Sequence, residues 1–247
     1  KRQGHIEIIN HELTGIFVDN AMDLILNHVP IPSEETNKKA LITAQNTCFS
    51  LGLTTVDIAG LTKESVELID KLHNSEELKI KTYIMLTDNE ENFNHYVINL
   101  NGPIKTKKMN VRSFKFFADG SLGSRGACLI NPYLDNQRTH GQLLQNIDTF
   151  NTKLKTLKLY GFQACTHAIG DSANRIITSS YANVLDGSND LRWRIEHVQC
   201  ITDKDIEKLG KYNTFHLFNL LTPHLTLVGP SKDCLLYTSD AADDVLW

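Results

Sequence analysis

Phe114–Ala127 reads F-K-F-F-A-D-G-S-L-G-S-R-G-A, and two shorter strings, T-H-A-I-G-D (Thr166–Asp171) and R-I-E-H (Arg194–His197), repeat its logic further along the chain. Each lies at the end of an apolar, strand-like run. Each carries one side chain able to bind a metal: Lys115, His167 and His197. Ligands taken singly from the ends of successive strands are how a barrel assembles a metal site at its C-terminal mouth. A local zinc knuckle instead gathers its ligands within a few residues.

Working outward, helix-like and strand-like stretches alternate from about Lys38 to Asp203. The spacing of apolar residues predicts helices over Lys38–Leu51, Thr62–Lys71, Asn146–Tyr160, Ser172–Val184 and Lys204–Lys211. Thr202 or Asp203 is positioned to cap the last of these. Runs rich in β-branched and aromatic residues predict strands over Leu53–Asp57, Ile80–Leu86, Val111–Phe117, Gly161–His167 and Leu191–Ile195. Strands alternating with helices imply parallel βαβ units. Periodicity leaves open whether the sheet is doubly wound or closed into a barrel.

Composition narrows the function classes. The chain has 247 residues, 41% hydrophobic and 22% charged, as expected of a globular protein with one barrel-sized or two small domains. A net charge of −4 and a pI near 6.2 argue against a nucleic-acid surface, which needs a basic excess. No apolar run approaches the ~20 residues of a membrane span. The five cysteines are widely spread with no C-x-x-C pair, so buried reduced thiols are expected; the compartment is not legible, the cytoplasm being slightly favoured. The first residue is Lys1 and no signal-peptide pattern follows, so the N-terminus is expected to be missing. Oligomeric state has no signal in the sequence.

Taken singly, the candidate residues have ordinary alternatives. Lys115 alternates with Phe114 and Phe116, and a strand-edge lysine can snorkel to water as well as bind a ligand. A lone histidine is usually structural. His167 and His197, however, fall at successive strand ends, 30 residues apart with a helix between them. Asp171 and Glu196 are placed either to orient the imidazoles as hydrogen-bond acceptors or to cap a helix. Gly120, Gly123 and Gly126 match neither the Walker nor the dinucleotide spacing. They suit a loop at the barrel mouth, where Asp119 and Arg125 would meet polar groups of a substrate. His140 and Asp57 read as a solvated loop histidine and an ordinary strand-end acid. No G-x-S-x-G is present, so serine hydrolysis lacks support.

These strings, together with T-G-I-F-V-D-N-A-M-D-L (Thr14–Leu24) and L-G-L-T-T-V-D-I-A-G (Leu51–Gly60), resemble the metal-dependent amidohydrolases, in the branch called amidohydrolase family 3 (YtcJ-like proteins). The resemblance runs from about Gly15 to about Thr214. It implies a (β/α)8 TIM-type barrel with one or two divalent ions, zinc foremost, at the C-terminal mouth. His167 and His197 would hold one ion, and Lys115, carboxylated by carbon dioxide, would bridge two. Carboxylation requires the neutral amine, which desolvation and nearby cations favour. The ions would lower the pKa of water toward ~7 and polarise a carbonyl for hydrolysis of an amide or related non-peptide C–N bond in a small molecule.

The family also takes an H-x-H from its first strand and a proton-shuttling aspartate from its eighth. Neither falls in this chain; His5 and His11 are not at H-x-H spacing. The chain therefore reads as an internal piece of the barrel, lacking the first and last strands and a poor enzyme by itself. A non-catalytic ligand-binding barrel, or a metal-dependent ester or lactone hydrolase, would share these residues.

The C-terminal stretch departs from this pattern. Phe215–Leu225 (F-H-L-F-N-L-L-T-P-H-L) shows no helix or strand periodicity. Back-translated and read from the third base, it becomes P-S-V-Q-P-T-H-A-T-S-D, which resembles what the family carries after R-I-E-H and the next helix. Cys234–Asp243 (C-L-L-Y-T-S-D-A-A-D) resembles translated sequencing adapter. The expected division is thus a partial barrel over 1–214, out-of-frame translation over 215–233 and adapter translation over 234–247, with no strand after 214 pairing to the Leu191–Ile195 strand.

Overall fold

The β-branched runs and helix-forming stretches resolve in a computed structural model that describes residues 4–185, 187, 189–211 and 215–218. The first element is a hairpin of β1 (Gly4–Ile9) and β2 (Glu12–Asp19), paired antiparallel. Asn10 and His11 form its two-residue turn with φ of 53° and 66°. Two positive φ values in succession match the twist of flanking strands, and asparagine tolerates the first at little cost. A 3-10 turn and α1 (Asp23–Leu26) lead to α2 (Glu34–Ser50), whose N-cap Ser33 accepts a hydrogen bond from Thr36 N–H at 3.2 Å.

Strands and helices then alternate. In order come β3 (Thr55–Leu61), α3 (Lys63–Asn74), β4 (Lys81–Thr87), α4 (Glu90–Asn92) with a π-helical turn over Phe93–Asn99, the short β5 (Ile104–Lys105) and β6 (Met109–Phe117). After a long connection follow α5 (Ile147–Tyr160), β7 (Gln163–Ala168), α6 (Asp171–Val184), β8 (Arg194–His197), α7 (Asp203–Lys211) and β9 (Phe215–Phe218). The sheet runs β3-β4-β6-β7-β8-β9, with β5 antiparallel on β6. β3–β4, β4–β6 and β8–β9 pair in parallel. This is the α/β order of a partial TIM-type barrel, and every predicted strand and helix has its counterpart. No helix among the described residues is long and apolar enough to cross a membrane.

Two compact units divide the chain. The first comprises 30–116 and 155–165. Its interior is aromatic and aliphatic: the Phe114 ring meets Phe93 at 5.4 Å and Phe162 at 5.3 Å between centroids, both edge-on or tilted, as ring quadrupoles prefer. Two buried amides tie its backbone. Gln45, alone buried on α2, accepts from the N–H groups of Lys79 and Ile80 and donates to Glu77 O. Asn92 donates through Nδ2 to Leu61 O and Thr87 O, both at 2.9 Å, and so joins the C-terminal ends of β3 and β4.

The second unit comprises 1–29, 117–154 and 166–247. Tyr181 and Trp193 pack at 5.0 Å, and the Tyr181 hydroxyl shares a hydrogen bond of 2.7 Å with Thr166 Oγ1 while donating to Arg194 O. Leu122, Ala127, Tyr133 and Ile169 form a small core under the long connection.

The structure corrects two expectations. The strand expected over Leu191–Ile195 runs from Arg194 to His197, because Arg192 takes a φ of 56° that ends any extended run before it. The segment expected to leave β8 unpaired does pair: Phe215–Phe218 forms β9, in parallel register with Arg194–His197. Strand pairing is made by backbone groups, and an apolar four-residue run beside an open strand edge satisfies it whatever its periodicity. The remainder of the expected out-of-frame and adapter stretches, 219–247, lies outside the described residues.

Candidate functional site

β7 is buried throughout, and its penultimate residue is His167, 6% exposed. β8 is flanked in the sheet by β7 and ends at His197, which is half-buried. The two imidazoles stand 4.7 Å apart between ring centroids with an interplanar angle of 68°. The Phe117 ring also meets His167, at 5.6 Å. The strand ends are joined by backbone: Ala118 N–H donates to His167 O at 2.9 Å, and Val198 N–H to Ala168 O at 3.2 Å. His197 and Val198 have φ of 74° and 45°. For a β-branched residue such a value costs on the order of 1–3 kcal/mol and persists only where the surroundings over-determine it.

The surroundings here are polar and buried. Asp119 is 1% exposed and its carboxylate accepts three backbone N–H groups: Ile169 on Oδ1 at 3.0 Å, and Gly170 and Cys128 on Oδ2, both at 2.8 Å. The same Oδ1 lies 3.6 Å from His167 Nε2, which also faces Gly120 O at 3.4 Å. Asn174, fully buried on α6, directs Nδ2 at the carbonyls of Ala168, Ile169, Gly170 and Cys200. Cys128 O accepts from Ser172 and Ala173 N–H, closing the N-terminus of α6. A Cβ at position 170 would collide with the Cys128 backbone, so glycine is required for that approach.

Of the predicted residues, His167 and His197 are brought together. Lys115 lies on β6 opposite Thr87 of β4 and is 6% exposed. Asp119, expected to meet substrate, is engaged by the chain's own backbone. Arg125, with φ 57°, is gripped by Asp135 through Nε at 2.9 Å and Nη2 at 2.7 Å, which raises its pKa and lowers that of Asp135. Asp171 accepts from Ile130 N–H and from Ser172 N–H in the first turn of α6. Glu196 pairs with Arg194 at 2.6 Å, both side chains nearly buried. His140 and Asp57 are exposed. Burial pushes the Cys128 thiol pKa up, against the Ser172 hydrogen bond.

The imidazole pair fits a divalent ion. Two rings bound through nitrogens at ~2.1 Å each would stand about 5 Å apart between centres, and the observed separation of 4.7 Å meets that. Two imidazoles alone are an incomplete donor set: among the described residues no group of three or more His, Cys, Asp or Glu side chains gathers around one point.

The sequence pattern of the Amidohydrolase family matches residues 6–221, and the chain belongs to that family. It is 27% identical over 212 residues to Protein LONG AFTER FAR-RED 3 of Arabidopsis thaliana, covering 81% of this chain and 36% of that protein. It is also 27% identical over 209 residues to the putative amidohydrolase YtcJ of Bacillus subtilis, covering 82% and 38%. Among solved structures, an uncharacterized metal-dependent hydrolase from Pyrococcus furiosus superposes with a TM-score of 0.70 at 25% identity, over 80% of this chain and 40% of that one. One from Pyrococcus horikoshii shares the fold with a TM-score of 0.72 at 21% identity, over 85% and 43%. The chain thus spans about two-fifths of the length of the relatives it matches.

Proposed function

We propose that this chain supplies the His167–His197 side of the active site of a metal-dependent hydrolase acting on an amide or related non-peptide C–N bond of a small molecule. The observation that carries the reading is the pair of imidazoles at neighbouring strand ends, 4.7 Å apart. Family membership and the likeness to the metal-dependent hydrolase of Pyrococcus furiosus support the hydrolytic, metal-dependent class.

His167 and His197 would hold one divalent ion, zinc by their nitrogen donors. Lys115 would serve as a carboxylated ligand to a second ion. When bound, such an ion polarises a carbonyl and lowers the pKa of water near 7, where ~7 is typical of catalytic zinc. The residues of this chain orient and shield. Phe117 covers one side of His167, and the Arg194–Glu196 pair neutralises charge on the strand that carries His197. Asp119 and Arg125 would serve substrate through the loop they hold in place. The proton donor to the leaving nitrogen would come from outside these residues.

The test is zinc uptake by the 247-residue chain and hydrolysis of a panel of N-acyl amino acids by the chain joined to the rest of its gene product. Zinc uptake lost in His167→Ala and His197→Ala, with turnover confined to the longer protein, is the expected result. Equal zinc uptake by the wild type and both alanine variants would overturn the assignment.

A further inference from the structure

The segment 168–170 follows His167 directly and is held from two sides. On one side the Asp119 carboxylate takes the N–H groups of Ile169 and Gly170 at 3.0 and 2.8 Å. On the other the Asn174 amide gives its hydrogens to the carbonyls of Ala168, Ile169 and Gly170 at 3.2, 3.2 and 3.1 Å, and to Cys200 O at 2.9 Å. Four carbonyls around one side-chain end fix the orientation of the amide, since its oxygen turned toward them would meet only acceptors. That orientation leaves Asn174 Oδ1 buried without a hydrogen-bond partner. A buried acceptor left unpaired is unfavourable, so the two amide hydrogens shared among the four carbonyls must outweigh it.

The same segment binds the chain after His197. Val198 N–H donates to Ala168 O at 3.2 Å and Cys200 N–H to Ile169 O at 2.9 Å. The path from one imidazole to the other therefore runs through 168–170. Asn92 makes a comparable tie between β3 and β4, also fully buried and also with Oδ1 unpartnered. The carbonyls it holds belong to Leu61 and Thr87, however; Thr87 stands opposite Lys115, but neither residue adjoins His167 or His197 in the chain.

We infer that Asn174 and Asp119 are positioning residues, a two-sided clamp on 168–170 that sets the spacing of the His167 and His197 rings. The consequence for metal binding rests on the function proposed above; the clamp itself does not. Both act through the backbone of 168–170. They act by denying the two strand ends any other register, as partners outside the ligand shell do in metal sites.

The experiment uses the 247-residue chain as wild type, Asn174→Asp, Asp119→Asn and Asn92→Asp. Imidazole proton–nitrogen correlation spectra are recorded without metal, and cobalt(II) uptake is followed by visible absorption. Asn174→Asp sets a carboxylate against four carbonyls, while Asp119→Asn sets an amide hydrogen pair against backbone N–H groups at nearly unchanged volume. Both are expected to move the His167 and His197 signals and to weaken cobalt uptake by roughly 10–100-fold. Asn92→Asp is expected to move neither. Should Asn174→Asp fail to fold, Asp119→Asn decides through the His197 signals alone, since Asp119 Oδ1 lies 3.6 Å from His167 Nε2 and its charge acts on that ring directly. Unmoved His167 and His197 signals in a folded clamp variant, or equal movement in Asn92→Asp, would overturn the inference. A wild type that takes up no cobalt would sink the metal reading, while the imidazole signals would still decide the clamp.

Discussion

The two units of this chain solve the same packing problem with different materials. In the unit of 30–116 and 155–165, Phe93, Phe114 and Phe162 fill the interior with rings. In the other, the interior is threaded by a carboxylate, an amide and a tyrosine hydroxyl: Asp119, Asn174 and Tyr181. The connections explain the contrast. β3 passes to α3 through Thr62 alone, and in that unit two buried amides, Gln45 and Asn92, meet the few backbone groups that its elements leave over. The 118–146 connection and the strand ends at 168–170 and 198–200 are irregular, and their buried N–H and C=O groups must be met by side chains. The candidate ligands His167 and His197 stand at strand ends, next to where the backbone leaves regular structure. Precision there comes from buried polar groups rather than from packing.

That contrast is easiest to break with a truncation in the aromatic unit. Phe114→Ala removes a fully buried ring with two aromatic neighbours. A loss of about 3–5 kcal/mol is expected in denaturant unfolding. A loss under about 1 kcal/mol would mean that the rings are not what holds this unit. His197→Ala, in the polar unit, should do the reverse. Its half-buried ring contributes little packing, so stability should stay within about 1 kcal/mol, while zinc uptake measured by equilibrium dialysis falls by more than roughly 100-fold, since partners outside the ligand shell are already worth about 10–100-fold. Asp57→Asn, an exposed acid on β3, should leave uptake unchanged.

A smaller effect tests whether the polar unit is held as described. Tyr181→Phe keeps the ring against Trp193 and deletes only the hydroxyl that links Thr166 to Arg194 O. The expected loss is about 1–2 kcal/mol, because two buried groups lose a partner at once. A neutral result would show that the ring, rather than the hydroxyl, joins β7 to β8.

Much of this architecture is legible in the sequence because it is periodic. The buried runs of β4, β6 and β7 and the amphipathic α3 and α6 announce themselves by spacing, and His167 and His197 by their places at the ends of such runs. The N-terminal hairpin leaves a fainter mark, a single Asn10 at a turn between apolar stretches. β8 is displaced from its expected place because Leu191 and Trp193 look like strand while Arg192 adopts a left-handed φ. Asn174 is invisible. An asparagine inside a helix gives no sign that four carbonyls will converge on it, since three of them lie before its own helix and the fourth 26 residues beyond. Asp119 stands out for its motif, but nothing in the motif foretells the three backbone N–H groups that its carboxylate accepts.

The histidines carry the comparison to its finest scale. His73 is the buried histidine of the aromatic unit, 5% exposed in the last turn of α3, and it is a structural one. Its Nε2 meets Ile80 O at 3.0 Å, so that nitrogen carries the proton, and Nδ1 has no hydrogen-bond partner. Burial lowers its pKa below the ordinary 6.5, with the Ile80 hydrogen bond opposing, Lys108 adding to the lowering, and Asp70 and Glu76 opposing it. The sign follows from proton counting. The unfolded chain binds a proton at His73 as pH falls through about 6.5, while the folded chain does not until lower pH, so falling pH favours the unfolded state. Stability from this group is therefore full above about pH 7 and is lost progressively below 6.5. His73→Gln keeps a donor for Ile80 O and removes the titration. Thermal melts between about pH 7.5 and 5.5, the span that brackets an ordinary histidine, should show a smaller drop in the variant than in the wild type, by a modest margin, with the two closest at the alkaline end. An identical pH slope in both would mean that His73 is not charged on unfolding at any cost to the fold, and that its burial gives it no more pH sensitivity than a surface histidine.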